Sequence, residues 1–324
     1  MKKHLLLFLP FLFWNCGESS DDRNFDAPNQ TARQEMRDFV IGISRKAKAL
    51  NPNFAVVPQN GIELICSDGE PDGSLATDYL AAIDGHGQED LFFGYDTDNV
   101  ATPADDNLYL TSFLDRSKGV GKTVLVTDYC SSADQMVQSY SKNSAKGYIS
   151  FAAPERALNV IPTGNPMNVN SNVVTDLAQA KNFLYLINPE NYTTKSAFIN
   201  AVKATNYDVV IMDLFLNNEQ FTAAEISDLK NKANGGKRLV ICYMSIGEAE
   251  DYRYYWNSAW NSSKPNWIVA ENPDWPGNFK VQYWNSDWQN IIYKNSDSYL
   301  DRILSSGFDG VYLDIIDAFE YFER

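Results

Sequence analysis

The chain has 324 residues, and 44% of them are hydrophobic, which is enough for one large domain with a sizeable buried core. Its formal net charge is −15, and a surface this acidic repels phosphate backbones, which argues against nucleic acid as a partner. The same charge suits neutral or cationic ligands, although it can also serve only to keep an exported protein soluble.

The N-terminal segment predicts export. Two lysines precede an apolar run at residues 5–14, which is the pattern of a secretory signal rather than of a membrane span. Cys16 follows at once and resembles the cleavage site of a bacterial lipoprotein. We therefore predict a signal peptide over residues 1–16, a lipid on Cys16, and a flexible acidic linker over residues 17–30. The predicted location is the outer membrane or cell surface, with the membrane contacted only through the lipid.

The remaining cysteines and histidines give no sign of a metal site. Cys66, Cys130 and Cys242 are odd in number, so they cannot all pair within one chain. The only histidines are His4 and His86, and no Cys/His cluster has the spacing of zinc ligands. No nucleophile-elbow motif supports a Ser-His-Asp triad.

Helical and apolar patterns alternate along the chain. The first is an amphipathic helix over residues 31–50, with a capping box predicted from Thr31 and Gln34 and an end at Pro52. Strands are predicted at residues 54–57, within 83–93, and at 122–128, 147–152, 182–187, 207–213, 238–246 and 308–314. Further helices are predicted at residues 75–82, 107–119, 133–145, 173–181, 195–205, 223–234 and 297–306.

Several of the strands are apolar on both faces, which predicts a parallel sheet covered by helices. About eight strands and eight helices fit a (β/α)₈ TIM barrel that forms a single domain over residues 31–324. An open doubly wound sheet is the alternative. Such a sheet usually has a Gly-rich phosphate loop after its first strand, and this sequence has none.

The order of the elements is unusual. The helix over residues 31–50 has no strand before it, and the strand that ends at Asp314 has only ten residues after it. In a closed ring this helix can pack beside that strand, so we predict a circularly permuted barrel. An Asn- and Pro-rich segment over 154–172 reads as a connector. An aromatic insertion near 250–288 holds most of the tryptophans, which form either a sugar-stacking surface or a small satellite core.

Acidic residues follow the predicted strands repeatedly, where a barrel enzyme has its active site. They are Glu89 with Asp90, then Asp128, Asp213, Glu248, and Asp314 with Asp317. Carboxylates that converge on one pocket have their pKa values pushed apart, and glycoside hydrolysis needs one protonated acid and one carboxylate. Each acid taken singly can instead be a helix cap or a loop residue. A divalent-metal site is a further alternative, but the tight Asp spacing typical of one is missing.

Two motifs, at residues 245–256 and 307–317, resemble the barrel family of extracellular glycosidases around glycoside hydrolase family 114. That family includes endo-α-1,4-polygalactosaminidases. Segments that resemble the second half of the family stand here before residues 183–188, which resemble its first half; they are residues 56–61, 83–92 and 124–129. This reversed order agrees with the circular permutation predicted from the elements.

The resemblance implies two catalytic carboxylates, Asp314 in an Asp-x-x-Asp motif and Glu89 in a Glu-Asp-Leu-Phe motif. It also implies a pocket lined by Asp213, Glu248, Asp317, Asp128, Tyr243, Gln59, Asn60 and Arg253. The predicted protein is a monomeric glycosidase without cofactor or metal, acting on a polysaccharide or oligosaccharide for which galactosamine is one candidate sugar. The alternatives are a non-catalytic carbohydrate-binding surface lipoprotein and a structural surface protein without a sugar ligand.

Overall fold

The computed structural model describes residues 31–323, so the predicted signal peptide, Cys16 and the linker lie outside the described residues. Eight parallel strands form its centre. They are β1 (Ala55–Pro58), β2 (Gly85–Glu89), β3 (Thr123–Tyr129), β4 (Ile149–Ala153), β5 (Phe183–Leu186), β6 (Val209–Met212), β7 (Leu239–Ser245) and β8 (Gly310–Asp314). Each predicted strand is present, with its ends moved by a few residues. Within the described part of the chain, none of the helices is long and apolar enough to cross a membrane.

The parallel strands belong to two sheets. One has the strand order β1-β8-β7-β6-β5 and the other β2-β3-β4. In the larger sheet, Tyr312 of β8 is in register with Val57 of β1 on one side and Tyr243 of β7 on the other. Nearly all side chains of these strands are buried, as expected for a parallel sheet covered on both faces. The mixed α/β architecture with a parallel sheet is therefore confirmed.

The two sheets lie side by side at both of their edges. Between β1 and β2, the Asn60 N–H donates to the Gly87 carbonyl at 2.8 Å and the Asp84 N–H donates to the Val56 carbonyl at 2.9 Å. Between β4 and β5, the centroids of the Phe151 and Phe183 rings are 5.9 Å apart. These contacts connect β1 with β2 and β4 with β5.

Nine α-helices surround the strands among residues 31–323. They are α1 (Ala32–Leu50), α2 (Thr77–Ala82), α3 (Ala104–Gly119), α4 (Ala133–Lys146), α5 (Lys195–Lys203), α6 (Ala223–Leu229), α7 (Ser286–Gln289), α8 (Tyr299–Ser305) and α9 (Phe319–Phe322). A capping box begins α6, where Thr222 and Glu225 each accept a backbone N–H from the other end of the turn. The capping box predicted for α1 is wrong, because Thr31 Oγ1 donates to Glu35 Oε1 instead.

Helix α1 begins beside α9, the short helix that follows β8. Arg33 Nη2 donates to Glu323 Oε2 at 2.8 Å, and the Arg33 guanidinium lies 4.8 Å from the centroid of the Phe319 ring. The Tyr283 hydroxyl donates to the Ala32 carbonyl at 2.8 Å. The start of α1 therefore lies at the same end of the molecule as the carboxyl end of β8.

Two segments differ from the prediction. The helix predicted over residues 173–181 is reduced to a 3₁₀ turn, Leu177–Gln179, because the Lys181 N–H donates to Asp208 Oδ2 and the chain leaves the helix there. The aromatic insertion forms a three-stranded antiparallel sheet from Glu248–Glu250, Asn278–Val281 and Ile268–Glu271. Cys66, Cys130 and Cys242 are buried free thiols.

The tryptophans of the insertion pack mainly on one another. Trp260 and Trp267 meet edge to face at 5.2 Å, and Trp267 lies 5.5 Å from Trp288. Trp256 stacks on Phe279 at 5.0 Å. The Trp288 Nε1–H donates to the Ile246 carbonyl, and the side chain is fully buried. Trp267 and Trp288 belong to the main hydrophobic core, so the cluster is neither a separate satellite core nor an open surface for sugar stacking.

Candidate active site

The two predicted catalytic carboxylates end strands that flank β1. Glu89 is the last residue of β2 and Asp314 the last of β8. Gln59, the residue after β1, donates its N–H to the Leu313 carbonyl at 2.8 Å and so lies between them. Because neighbouring strands are about 4.8 Å apart, the backbones that carry the two acids are about 10 Å apart, and their side chains can converge.

The chain turns sharply after each of these three strands. Asn60, Asp90 and Ile315 all have φ of 58°, in the left-handed region. Asn and Asp tolerate this conformation, but a β-branched residue such as Ile315 is strained there. Residues held in such conformations are concentrated at functional sites, and Ile315 separates Asp314 from the start of the next turn.

Glu89 is held by a network of polar side chains. Its carboxylate accepts hydrogen bonds from Gln59 Nε2 at 2.5 Å, from Asn60 Nδ2 at 3.3 Å and from the Tyr129 hydroxyl. The Tyr185 hydroxyl donates to Gln59 Oε1 at 2.8 Å and fixes the orientation of that amide. In all of these bonds Glu89 is the acceptor, which is the role of an ionised carboxylate.

Asp314 lies close to Glu89. Burial and the negative charge of Glu89 together raise the pKa of Asp314 to about 7, although a hydrogen bond from the Tyr243 hydroxyl at 2.6 Å opposes the shift. A carboxyl with a raised pKa therefore stands beside one that accepts hydrogen bonds from its neighbours. This is the division of roles that glycoside hydrolysis requires.

The floor between the two acids is closely packed. A Cβ atom at Gly87 would lie only 1.9 Å from the Tyr312 hydroxyl, so a side chain at this position is excluded. The Tyr312 ring also meets Tyr185 edge to face at 5.2 Å. Aromatic packing under the site keeps the ends of β2 and β8 in fixed positions.

Asp317 and Glu248 extend the acidic surface beside Asp314. Burial, together with the negative charges of Glu320, Asp314 and other nearby acids, raises the pKa of Asp317 to about 8. Glu248 is buried and accepts from Asn272 Nδ2 at 2.8 Å, with Lys280 Nζ at 3.5 Å. Several carboxyl groups thus stand together on one side of the site.

Arg253 and Asp213 form a second cluster further along the strand ends. Arg253 Nη1 donates to Asp213 Oδ2 at 2.6 Å, and its Nε donates to Glu250 Oε2 at 2.5 Å. The Tyr252 hydroxyl donates to Glu250 Oε1 at 2.6 Å. Arg253 is thus fully paired and organises the loop after β7.

Asp128 is the one predicted pocket residue that points away from the site. Its Oδ1 accepts from the backbone N–H groups of Phe92 and Phe93, and its Oδ2 accepts from Ser139 and Asn143 of α4. Successive side chains of a strand alternate between faces, so Asp128 faces α4 because Tyr129 faces Glu89. The buried Asp128 anchors a loop, and we no longer assign it to the pocket.

Sequence reasoning missed three side chains that shape the site, Tyr129, Tyr185 and Glu250. Period-two alternation could have identified Tyr129, because only one of two adjacent strand residues can face Glu89. Tyr185 lies within an apolar strand and carries no sequence signal of its role. Among residues 31–323, no group of three or more His, Cys, Asp or Glu side chains is arranged to hold a metal ion.

Comparison with known proteins identifies a family model and several relatives that match part of the chain. The model of glycoside-hydrolase family GH114 matches residues 163–324, which include Asp213, Glu248 and Asp314 but not Glu89. An uncharacterized protein of Methanocaldococcus jannaschii is 40% identical over 133 residues, which are 40% of this chain and 36% of that protein.

Two further relatives have a similar identity and also match only part of the chain. An uncharacterized protein of Thermotoga maritima is 34% identical over 41% of this chain and 40% of its own length. One from Deinococcus radiodurans is 41% identical over 38% of this chain and 37% of its own length. The matched region thus spans well under half of each of these relatives. Because the family match covers half of the sequence and includes Asp213, which follows β6, and Asp314, which ends β8, the chain belongs to glycoside-hydrolase family GH114.

Proposed function

We propose that the protein is a glycosidase that cleaves a polysaccharide with Asp314 and Glu89 as its two catalytic carboxyls. The observation that supports this most directly is their position at the ends of the two strands that flank β1, where the charge of Glu89 helps to raise the pKa of Asp314. The protonated carboxyl would donate to the leaving glycosidic oxygen. The ionised one would act as nucleophile or as base toward water. The anomer formed first, read by NMR, distinguishes these two mechanisms.

We also propose that the eight strands close into a (β/α)₈ TIM barrel that is circularly permuted relative to its family. The edge contacts between β1 and β2 and between β4 and β5 support closure. The family model matches only residues 163–324, whereas the proposed site also needs Glu89 at the end of β2, before the matched region. This supports permutation, because site residues of the family would then stand in a changed order along the chain. The contact of Arg33 with Glu323 fits a cut between β8 and the helix α1.

A cationic amino-sugar polymer, such as partly de-N-acetylated galactosaminan, is the proposed substrate. Glu248 and Glu320 add negative potential beside Asp317 and Asp314, and the whole chain has a net charge of −15. An acidic cleft of this kind raises the local concentration of a cationic chain. A neutral glycan would gain nothing from it.

The substrate proposal predicts a marked effect of salt. Raising ionic strength from about 0.01 M to about 1 M shortens the screening length from about 30 Å to about 3 Å. We expect kcat/KM on de-N-acetylated galactosaminan to fall about tenfold over this range. The fully N-acetylated polymer is the matched control, because it carries no charge for salt to screen. Activity confined to neutral glycans, or an equal salt effect on both polymers, would contradict the substrate proposal.

We further propose that the protein acts at the cell surface on a lipid anchor at Cys16. The support is the signal-like segment at residues 1–14 followed by Cys16 and an acidic run. Labelled palmitate should enter the natural protein and not Cys16→Ser, and the variant should leave the membrane fraction. Equal labelling of both would rule out Cys16 as the anchor. A carbohydrate-binding lipoprotein without turnover remains the second candidate, distinguished by binding without hydrolysis.

A further inference from the structure

A cavity of about 440 Å³ opens beside Arg253, some distance along the strand ends from Asp314. Its walls come from the segments that follow β5, β6 and β7, and they include Asn188, Glu190, Phe215, Asn218, Tyr252 and Tyr254. Loops after parallel strands lie on one face, so the cavity shares the face of the proposed catalytic acids. None of the reacting groups proposed above lines it.

Two tyrosines of this cavity are unusually open to solvent. Tyr252 is 57% exposed and Tyr254 is 38% exposed, although each belongs to a well-packed loop. Their shared neighbour Arg253 points inward, where Asp213 and Glu250 bind its guanidinium. The buried ion pairs thus hold the backbone so that the flanking rings stand at the surface. Exposed aromatic side chains in a concave site commonly mark ligand binding.

The opposite wall is a rigid hairpin. Its strands are Phe215–Leu216 and Glu219–Gln220, and Asn217 and Asn218 form the turn with φ of 52° and 65°. Two successive left-handed residues are the signature of a type I′ turn, which Asn favours. Both asparagines line the cavity, but Asn217 Nδ2 donates to the Tyr192 and Thr193 carbonyls. The Asn218 amide is the one that can bind sugar hydroxyls. The Phe215 and Tyr254 rings lie 5.6 Å apart and continue the aromatic wall.

The charges around the cavity indicate which charge its ligand would carry. Arg253 is the only cationic side chain among its lining residues, and Asp213 and Glu250 neutralise it. Glu190 adds an exposed carboxylate. The cavity therefore suits a neutral or cationic pyranose ring and disfavours phosphate or uronic acid.

The cavity adjoins the proposed catalytic site through Tyr243. This residue donates its hydroxyl to Asp314 and also lies within electrostatic reach of Glu250 and Tyr252. In the sheet, β7 stands between β8 and β6, so Asp213 at the cavity is two strands from Asp314. This spacing is about 10 Å, which a short run of linked pyranose rings bridges.

We propose that this cavity is a second sugar-binding subsite, in which Tyr252 and Tyr254 stack on a neutral or cationic pyranose of the substrate chain beyond the bond that is cleaved. The subsite rests on the proposed glycosidase function. It gives the protein a preference for long chains, because a chain too short to reach Tyr252 gains nothing from it. Binding energy from such a remote ring can also position the reacting sugar.

The test compares Tyr252→Ala/Tyr254→Ala with Tyr252→Phe/Tyr254→Phe, which keeps both rings. The probes are short and long galactosamine oligosaccharides. Loss of stacking should weaken binding of the long oligosaccharide, measured by calorimetry, about tenfold. Binding and cleavage of the shortest cleaved oligosaccharide should be unchanged. The phenylalanine variant keeps both rings but loses the hydrogen bond from Tyr252 to Glu250. It should retain most of the natural affinity for the long oligosaccharide, which separates lost stacking from a disturbed loop.

Equal weakening for short and long probes, or no weakening for the long one, would overturn the subsite. If the alanine variant still cleaves with the same preference for chain length as the natural protein, the subsite is rejected and the glycosidase proposal stays intact. If the natural protein binds the long probe through these rings but cleaves nothing, the catalytic proposal fails and the subsite stands. Failure of the natural protein to bind either probe would reject the subsite for this sugar class.

Discussion

Replacing either proposed catalytic acid by its amide should abolish turnover while the fold remains intact. We expect Asp314→Asn and Glu89→Gln each to lower kcat by about a thousandfold or more, because a positioned acid or base typically contributes factors of 10²–10⁴. The double variant should lose little more than either single one, because the two groups act as a unit. Initial rates on the polymer that the natural protein cleaves provide the measurement.

The matched control for these variants is Asp115→Asn, the same change on the outer helix α3. Asp115 binds Lys146 and the Tyr148 hydroxyl, well away from the strand ends. It should keep near-normal kcat. Near-normal rates for both Asp314→Asn and Glu89→Gln would contradict the assignment of this pair.

The raised pKa of Asp314 adds a stability signature. A carboxyl whose pKa rises on folding stabilises the fold below its unfolded pKa of about 4, and this contribution is lost as pH rises through about 7. Asparagine does not titrate. The Tm of Asp314→Asn relative to the natural protein should therefore increase between about pH 4 and about pH 8. A constant difference would mean that Asp314 ionises freely in the folded protein.

The strands were predictable because their physical signal is local. Apolar runs such as Val209–Met212 are buried on both faces, and nothing but a covered parallel sheet accommodates them. The weak helices were less predictable. The helix expected over residues 173–181 is lost to a contact with Asp208, which is distant in sequence. The short α9 depends on contacts with α1, such as the position of Arg33 over Phe319.

The residues of the site also include some that the sequence could predict and some that it could not. Asp314 and Glu89 could be proposed because acids that end parallel strands meet on one face. Which side of a strand faces the pocket depends on register, and the prediction chose Asp128 where the structure has Tyr129 facing Glu89. The hydrogen bond from Tyr185 to Gln59 joins residues far apart in sequence, so no local sequence pattern predicts it.

Asp208 is buried as deeply as any acid of the site, but it lies at the opposite ends of the strands. Asp208 directly precedes β6, whereas Asp213 follows it, so the two are about 16 Å apart along the strand. Asp208 Oδ1 lies 2.8 Å from Lys232 Nζ, and both side chains are 0% exposed. Lys232 also donates to the Asn170 carbonyl at 3.0 Å, and Lys181 donates its N–H to Asp208 Oδ2. The pair ties the connector to the base of the sheet.

Breaking this ion pair should cost stability rather than activity. Lys232→Met leaves the buried carboxyl of Asp208 without its cationic partner, and such a change typically costs about 3–5 kcal/mol. A loss of this size corresponds to a fall in Tm of roughly 10 °C for a chain of this length. The kcat measured well below the Tm should stay within about twofold of the natural value, because the base of the strands touches neither Asp314 nor Glu89.

Two further variants decide whether the uncompensated charge is the cause. Lys230→Met breaks the half-buried pair between Lys230 and Asp309, 2.7 Å apart, and should cost only about 1 kcal/mol. Lys232→Met combined with Asp208→Asn removes both charges and should recover a large part of the lost stability, since residues in contact are not additive. If the double variant is as unstable as the sum of its single changes, lost packing rather than the buried charge explains the effect. If Lys232→Met alone leaves the Tm unchanged, the pair contributes nothing to folding.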